Sequence, residues 1–539
     1  MKTYIKNILP AAALTLALGM TSCSGDLDVT PIDPNLQTGD VISSDALLNK
    51  CYANIAVAGN GGANGDCDID GLDGGTTGFI RQMFNANELT TDEAICAWGD
   101  AGISNFNECS YDASHPMLRG YYYRLYAGIT YCNQYLADYS SVDAQKTAEA
   151  RFLRALDYAL LMDGWGNVPF ATTISSDKPA QIKRADLFTW IEKELLEIEP
   201  SLADAKPEKE GEDGYGRVDK AADWLLLSRI YLNAEVYTGT ARWADAATYA
   251  KKVISSPFKL YTTAQNGWSA YQQLFMGDNG TNGASTESLF SIIQDGKKTT
   301  SWGTTLFLMA GCNNGKECMN PTNENLAGNG TTAGWGGNRA KKQLIEKFFP
   351  NDDAPSITAC KMPAKAGDDR ALIQSKDRSL ENTKQKEFTD GYTICKFNNF
   401  YSTGGTPNDT QFPDCDFFFF RSAEAYLTYA EATARQNGGV ATAEGIEYIN
   451  QLRKRANAST KAGYSLSDIC DEWSREFYFE GRRRMDLIRF NRYAGDVNYN
   501  WAWKGGVLTG RNIDKHYNLF AIPTTDLTAN SNLVQNTGY

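Results

Sequence analysis

Histidine is almost missing from this chain: there are two in 539 residues, His115 and His516. That scarcity argues against a His-ligated zinc centre and against a Ser-His-Asp nucleophile. Positive charge is short as well, with 52 Lys and Arg against 65 Asp and Glu, a formal net charge of −13. A field of that sign repels phosphate backbones, so nucleic acid is not an expected partner. The 12 cysteines include no C-x2-C spacing, only a C-x5-C pair at Cys312 and Cys318, so zinc ribbons and thioredoxin-type redox chemistry find no support. No glycine motif for nucleotide phosphates sits between a strand and a helix.

What is present is a core-forming composition, 42% hydrophobic, with 11 Trp, 28 Tyr and 24 Phe. An acidic, aromatic-rich, His-poor chain suits a surface that stacks on neutral sugars, although a large core uses aromatics too. At the N-terminus, Lys2 and Lys6 precede an apolar stretch from Ile8 to Met20, too short to span a bilayer, and Thr21-Ser22-Cys23 follows. This reads as a lipoprotein signal over residues 1–22, cleaved before Cys23, with Cys23 acylated and holding the protein at a membrane surface. Eleven cysteines remain, expected as buried free thiols, with one disulfide left open.

Residues 23–45 read as a lipidated tether and 46–539 as a single domain. Apolar residues at helical spacing predict helices at 148–163, 186–199, 220–235, 243–255, 422–435, 442–456 and 468–493, the last introduced by a Ser-x-x-Asp cap at Ser465 to Asp468. Paired helices with short turns suggest a mostly α, tetratricopeptide-like scaffold, mainly over 117–257 and 421–493. The Gly-, Asn-, Thr- and Ser-rich segments, mainly 60–110 and 262–420, then form an irregular face of the sort that carries binding.

Three tryptophans stand in that irregular sequence: Ala97-Trp98-Gly99, Ser301-Trp302-Gly303 and Gly334-Trp335-Gly336. Rings presented on loops can stack on the C–H faces of sugars, while each taken alone fits core packing as readily. Trp165 shows the ambiguity, since it is also flanked by glycines but follows a helix expected to be buried. Asp66 to Asp73 resembles the first half of an EF-hand loop, yet Thr77 stands where a bidentate Glu is required. Asp278, Asn282 and Glu287 offer a second candidate calcium set, although no cofactor is required by this reading. Glu476 and Glu480 share a helix face, but Arg475, Arg482, Arg483 and Arg484 around them favour a structural ion-pair network over a glycosidase pair.

Several longer segments resemble the SusD/RagB family of outer-membrane glycan-binding lipoproteins of Bacteroidetes. They are Ala150-Arg151-Phe152-Leu153-Arg154-Ala155 with Gly164 to Pro169, Gly216 to Ala222, Arg475 to Leu487, and Ile522-Pro523 through Asn536-Thr537-Gly538-Tyr539. Ser24-Gly25-Asp26-Leu27-Asp28 resembles the export tag of surface-exposed lipoproteins from such bacteria. The likeness extends to the starch-binding member through Gly78 to Arg81, Asn87 to Glu93, Gln294 to Gly296 and Trp501 to Gly506. The resemblance implies a non-catalytic protein with four tetratricopeptide-like units and a loop-rich glycan face. It also implies docking on a SusC-type TonB-dependent transporter at the outer membrane.

In the starch-binding member an arc of three aromatics follows the glucan. The resemblance implies Trp98, Trp302 and Trp335 for those places, with Trp302 in place of a Tyr, and Arg81 and Asp73 for flanking polar positions. Ala101 stands where that member has a hydrogen-bonding Asn, which keeps dextran or pullulan open beside starch. Two rival readings are a glycoside hydrolase lipoprotein and a scaffold that binds only its transporter.

Overall fold

Helices start where a short polar side chain can take an orphan backbone N–H. Asp143 accepts from Lys146, Asp219 from Ala221 and Ala222, and Thr442 from Gly445, caps typically worth about 1 kcal/mol each. In the computed structural model, which describes residues 42–63 and 67–539, these caps open helices Ala144–Trp165, Lys220–Leu232 and Ala443–Arg455. With Pro116–Tyr139, Arg184–Ile198, Trp243–Ser255, Ser422–Gln436 and Leu466–Phe477 they make up the scaffold.

Most of these helices pack on the next one along. Pro116–Tyr139 lies against Ala144–Trp165, which lies against Arg184–Ile198; Lys220–Leu232 packs on Trp243–Ser255. Trp243–Ser255 then packs on Ser422–Gln436, which carries Ala443–Arg455 and Leu466–Phe477. The two helical blocks of the sequence are therefore one continuous scaffold, and the loop-rich residues between them are an excursion that returns to it. Leu48–Tyr539 forms one compact unit.

Two expected helices break. Residues 468–493 give Leu466–Phe477 and Arg483–Arg489. Between them Phe479 at φ 63° and Gly481 at φ 78° take left-handed conformations that no helix continues through. Glu88 fills the gap: its Oε1 accepts the N–H groups of Gly481 at 2.7 Å and Arg482 at 3.0 Å. Ser465 is the N-cap, in a reciprocal capping box with Asp468. Residues 220–235 end at Leu232, because Asn233 turns its amide back onto the Arg229 carbonyl and a short helix Ala234–Thr238 follows.

Strands are few and short. Ala94–Cys96 pairs with Asn338–Ala340, and Ser288–Ile292 with Phe417–Arg421, both antiparallel. The second pair delivers Arg421 to a fully buried ion network. Arg421 and Arg455 bind Glu287 at 2.8 Å each, Arg421 also reaches Glu476 at 3.1 Å and Glu480 at 2.8 Å, and Arg370 holds Glu472 at 2.8 Å. Trp165 ends its helix fully buried, its indole N–H donating to the Ala521 carbonyl at 3.0 Å.

None of the eleven cysteines of the described residues is in a disulfide, with Cys67, Cys318 and Cys360 half-buried and the others buried. Cys23 and the expected signal lie outside the described residues, as does the tether except its last few positions, where helix Ser44–Ala56 begins. Among the described residues no helix is long and apolar enough to cross a membrane.

Candidate functional site

The Ala94–Cys96 and Asn338–Ala340 ladder sets opposite chain directions side by side, with Cys96 facing Asn338. In an antiparallel pair, the residues after one strand and before the other leave at the same end. Trp98 and Trp335 leave there together, with Ala97 N–H still donating to Gly337 O at 3.0 Å. Their ring centroids lie 6.5 Å apart at 61°. Trp302 arrives from a different element, just ahead of helix Thr305–Ala310, which Thr304 caps through the Leu306 N–H. The last carbonyl of that helix, Ala310 O, accepts the N–H groups of Trp335 at 2.8 Å and Gly336 at 2.9 Å. One short helix thus has Trp302 at its head and holds Trp335 at its tail, and those rings meet at 5.9 Å and 58°.

The structure brings all three tryptophans into one contiguous surface. Trp335 is 36% exposed, and Trp98 and Trp302 are half-buried. Phe307 supports Trp98 edge-on at 5.8 Å, and Phe412 supports Trp302 at 5.2 Å, beside Leu306 and Ala310. The Trp302 indole donates to the Ala63 carbonyl at 2.8 Å, which fixes its plane.

Two glycine contacts let these pieces close. Gly337 sits at φ +108°, and a Cβ there would stand 2.2 Å from the Trp98 Nε1. Gly78 and Gly303 touch backbone to backbone, so that a Cβ on either would be 2.8 Å from the other's Cα. That approach lets the Arg81 N–H donate to Gly303 O at 3.1 Å.

Arg81 therefore lies beside the rings, its guanidinium 5.7 Å from the Trp98 centroid and 5.3 Å from that of Phe307. It ion-pairs with the half-exposed Asp100 at 3.0 Å. Asp73 caps helix Gly74–Thr77, its Oδ1 accepting from Thr76 N–H and its Oδ2 from the Thr76 hydroxyl, both at 3.0 Å. A Cβ on Gly75 would lie 3.0 Å from Asp73 Oδ1 and 3.1 Å from Arg81 Nη1, so Asp73 and Arg81 share one corner of the site. Rings with a guanidinium and carboxylates at their border can stack on sugar faces and exchange hydrogen bonds with hydroxyls.

The candidate calcium sets are not assembled. Both Glu287 oxygens are taken by Arg421 and Arg455, whereas Asp278 accepts from Ser402, from Asn282 and from the Thr403 N–H and hydroxyl. Two arginines occupy the space a cation would need. In the acidic run, Asp68 pairs with Lys50 and Arg124 at 2.8 Å each, and Asp73 serves as a cap. Among the described residues, no group of three or more His, Cys, Asp or Glu side chains is placed to hold a metal.

Glu476 belongs to the ion network: burial raises its pKa, but Arg455, Arg421 and Arg370 outweigh that and hold it at about 2. Glu480 is paired with Arg421 and Lys396. Neither has the solvent-facing geometry of a glycosidase acid. The sequence reading missed Phe307, Phe412, Asp100 and Gly337. Only Asp100 had a local signal, its nearness to Trp98.

A SusD family model matches residues 371–539. The starch-binding protein SusD of Bacteroides thetaiotaomicron is 39% identical across the whole of both chains. A SusD-like protein of Bacteroides ovatus is 35% identical over 16% of this chain and 17% of its own. Among solved structures, a SusD superfamily protein from Parabacteroides distasonis superposes with a TM-score of 0.66 at 20% identity, covering 92% of this chain and 98% of that one. Surface glycan-binding protein A from Bacteroides fluxus gives 0.65 at 20%, covering 92% and 99%. A laminarin-binding SusD-like protein gives 0.63 at 21%, also covering 92% and 99%. The last three carry the tetratricopeptide-like fold, and the full-length identity carries the family: the chain belongs to the SusD family, which is a glycan-binding and not a catalytic one.

Proposed function

We propose that this protein captures α-glucan at the cell surface through the face built by Trp98, Trp302 and Trp335, and hands it to a transporter. The observation that carries the reading is the contiguity of those three rings, bordered by Arg81, Asp100 and Asp73. The full-length likeness to a protein described as starch-binding supports starch or malto-oligosaccharide as the ligand. Ala101 is the reason to keep dextran or pullulan as the second reading, because a methyl offers a sugar hydroxyl nothing. Cys23 is the lipid anchor to the outer membrane, and a SusC-type TonB-dependent protein is the partner that receives the glycan.

The test is affinity electrophoresis and calorimetry of the chain from Ser24 onward against amylopectin, dextran, pullulan and inulin, beside a Trp98→Ala, Trp302→Ala double variant. Binding to one α-glucan that the folded double variant loses supports the reading. Wild-type protein that ignores every α-glucan refutes it. Sugar release by the purified protein would restore the hydrolase alternative.

A further inference from the structure

Beside Trp335 the surface continues into features that the three-ring site does not use. Gly336 has φ +59°, and a Cβ there would meet Asn314 Cβ at 3.5 Å and Phe388 Cδ1 at 3.6 Å. The bare Gly336 backbone therefore lies close to both an aromatic ring and an asparagine side chain. Phe388 is 43% exposed, more than Trp335 beside it, and Asn314 is exposed too.

An exposed phenylalanine is unremarkable when its loop is loose. This loop is tied at several points. Arg378 donates to Phe388 O at 2.9 Å, and the buried Arg339 donates to Gln385 O at 2.9 Å and to Asp390 O at 2.8 Å. Asp390 in turn accepts from the Thr383 hydroxyl at 2.6 Å and the Lys384 N–H at 2.8 Å. Asn314 is oriented by its own Oδ1, which accepts the Lys316 N–H at 3.1 Å, and by its N–H, which donates to Glu317 at 2.9 Å. A ring held open to solvent close to an exposed amide offers stacking for one face of a pyranose and hydrogen bonding for its hydroxyls.

We propose that Phe388 and Asn314, close to Gly336 beside Trp335, the ring that touches both other tryptophans, form a further sugar subsite that extends the recognised glycan beyond the three rings. The inference rests on the glycan-binding reading above and assigns the extent of that site. It makes the protein select for chain length, because a ligand long enough to reach from the three rings to Phe388 gains a stack that a shorter one lacks. An aromatic contact of this kind corresponds to about 2- to 12-fold in affinity.

The experiment is calorimetry with malto- and isomalto-oligosaccharides from trisaccharide to heptasaccharide, on wild type, Phe388→Ala, Phe388→Tyr and Asn314→Ala, each checked for an unchanged thermal midpoint. Wild type is expected to show a step in affinity within the series. Phe388→Ala should remove that step while leaving the shortest bound ligand unaffected, Phe388→Tyr should retain it, and Asn314→Ala should shrink it. A Phe388→Ala profile that follows wild type at every length overturns the subsite, as does an equal loss at every length. If wild type binds no member of either series, the glycan reading fails and the subsite fails with it. Binding by wild type with no step overturns the subsite alone.

Discussion

Replacing Gly337 by alanine isolates the geometry of the site from its chemistry, because the change removes no group that touches a ligand. The Cβ would stand 2.2 Å from Nε1, 2.6 Å from Cε2 and 2.8 Å from Cδ1 of Trp98, all closer than real contacts allow. The indole must therefore swing off its Phe307 support, or the strand end must shift and loosen the Ala97 N–H bond to Gly337 O. At φ +108° the alanine backbone is itself strained, a cost of about 1–3 kcal/mol to stability. Loss of one aligned ring should weaken glycan binding by a further ~0.5–1.5 kcal/mol, about 2- to 12-fold. Urea denaturation reads the first quantity, and calorimetry on the folded variant with amylopectin reads the second. Wild-type stability together with wild-type affinity would refute the reasoning, since it would mean that Trp98 is not held where Gly337 admits it.

Two further outcomes follow from buried charge. Glu476→Gln leaves Arg421, Arg455 and Arg370 short of an anion at a fully buried position, so urea denaturation should record a loss of about 3–5 kcal/mol, whereas a folded fraction should bind glycan as wild type does. Arg455, Arg421 and Arg370 hold the Glu476 carboxyl at about 2 against the pull of burial, so its stabilising contribution is present above the unfolded value of about 4.3 and lost as pH falls towards 2. His115 loses stability in the same direction, at higher pH and for a different cause. Burial lowers its pKa to about 4, against some help from the Gly102 carbonyl, and its neutral Nδ1 caps the Leu118 N–H. The unfolded chain takes up the proton first, so stability should fall by about 3 kcal/mol as pH drops from about 6.5 to 4. Denaturation curves of wild type and His115→Asn at about pH 7.5 and pH 4.5 check this, and a loss of the same size in both would refute it.

How far the sequence could be read follows from how local each determinant is. Trp243–Ser255 has the bounds its pattern predicts, and Arg184–Ile198 and Ser422–Gln436 differ from expectation by a residue or two, because apolar spacing and nearby punctuation decide them. The helix expected over 468–493 fails because its breaker is remote: Glu88, almost four hundred positions earlier, caps Gly481 and Arg482. Trp165 and Trp98 show the same limit at single residues. Both stand next to glycine, yet Trp165 meets the Ala521 carbonyl in the core while Trp98 meets Trp335 at the surface. That choice was made by the pairing of Ala94–Cys96 with Asn338–Ala340, which no local pattern encodes. The calcium expectation failed for a similar reason, since Asp278 and Glu287 are near in sequence but Arg421 and Arg455 arrive from elsewhere to claim Glu287.

The same long-range determinants give this face the rigidity that the proposed binding would use. Each tryptophan lies within three residues of a short strand or helix, and each of those elements is tied to another: Cys96 to Asn338, Ala310 O to Trp335 and Gly336, Gly303 O to Arg81. Rings fixed in this way lose little freedom when a sugar arrives, so more of the stacking energy is expressed as affinity. Catalysis would need in addition a pair of carboxylates facing the ligand, one of them with its proton held at neutral pH. The carboxylates that border the rings, Asp73 and Asp100, are exposed and already engaged as a helix cap and as the partner of Arg81. Glu476 and Glu480, suitably spaced on their helix, are instead neutralised in the core by arginines and a lysine. The chain has thus put its acid groups to work on folding and on orienting Arg81, and left its three tryptophan rings together at the surface.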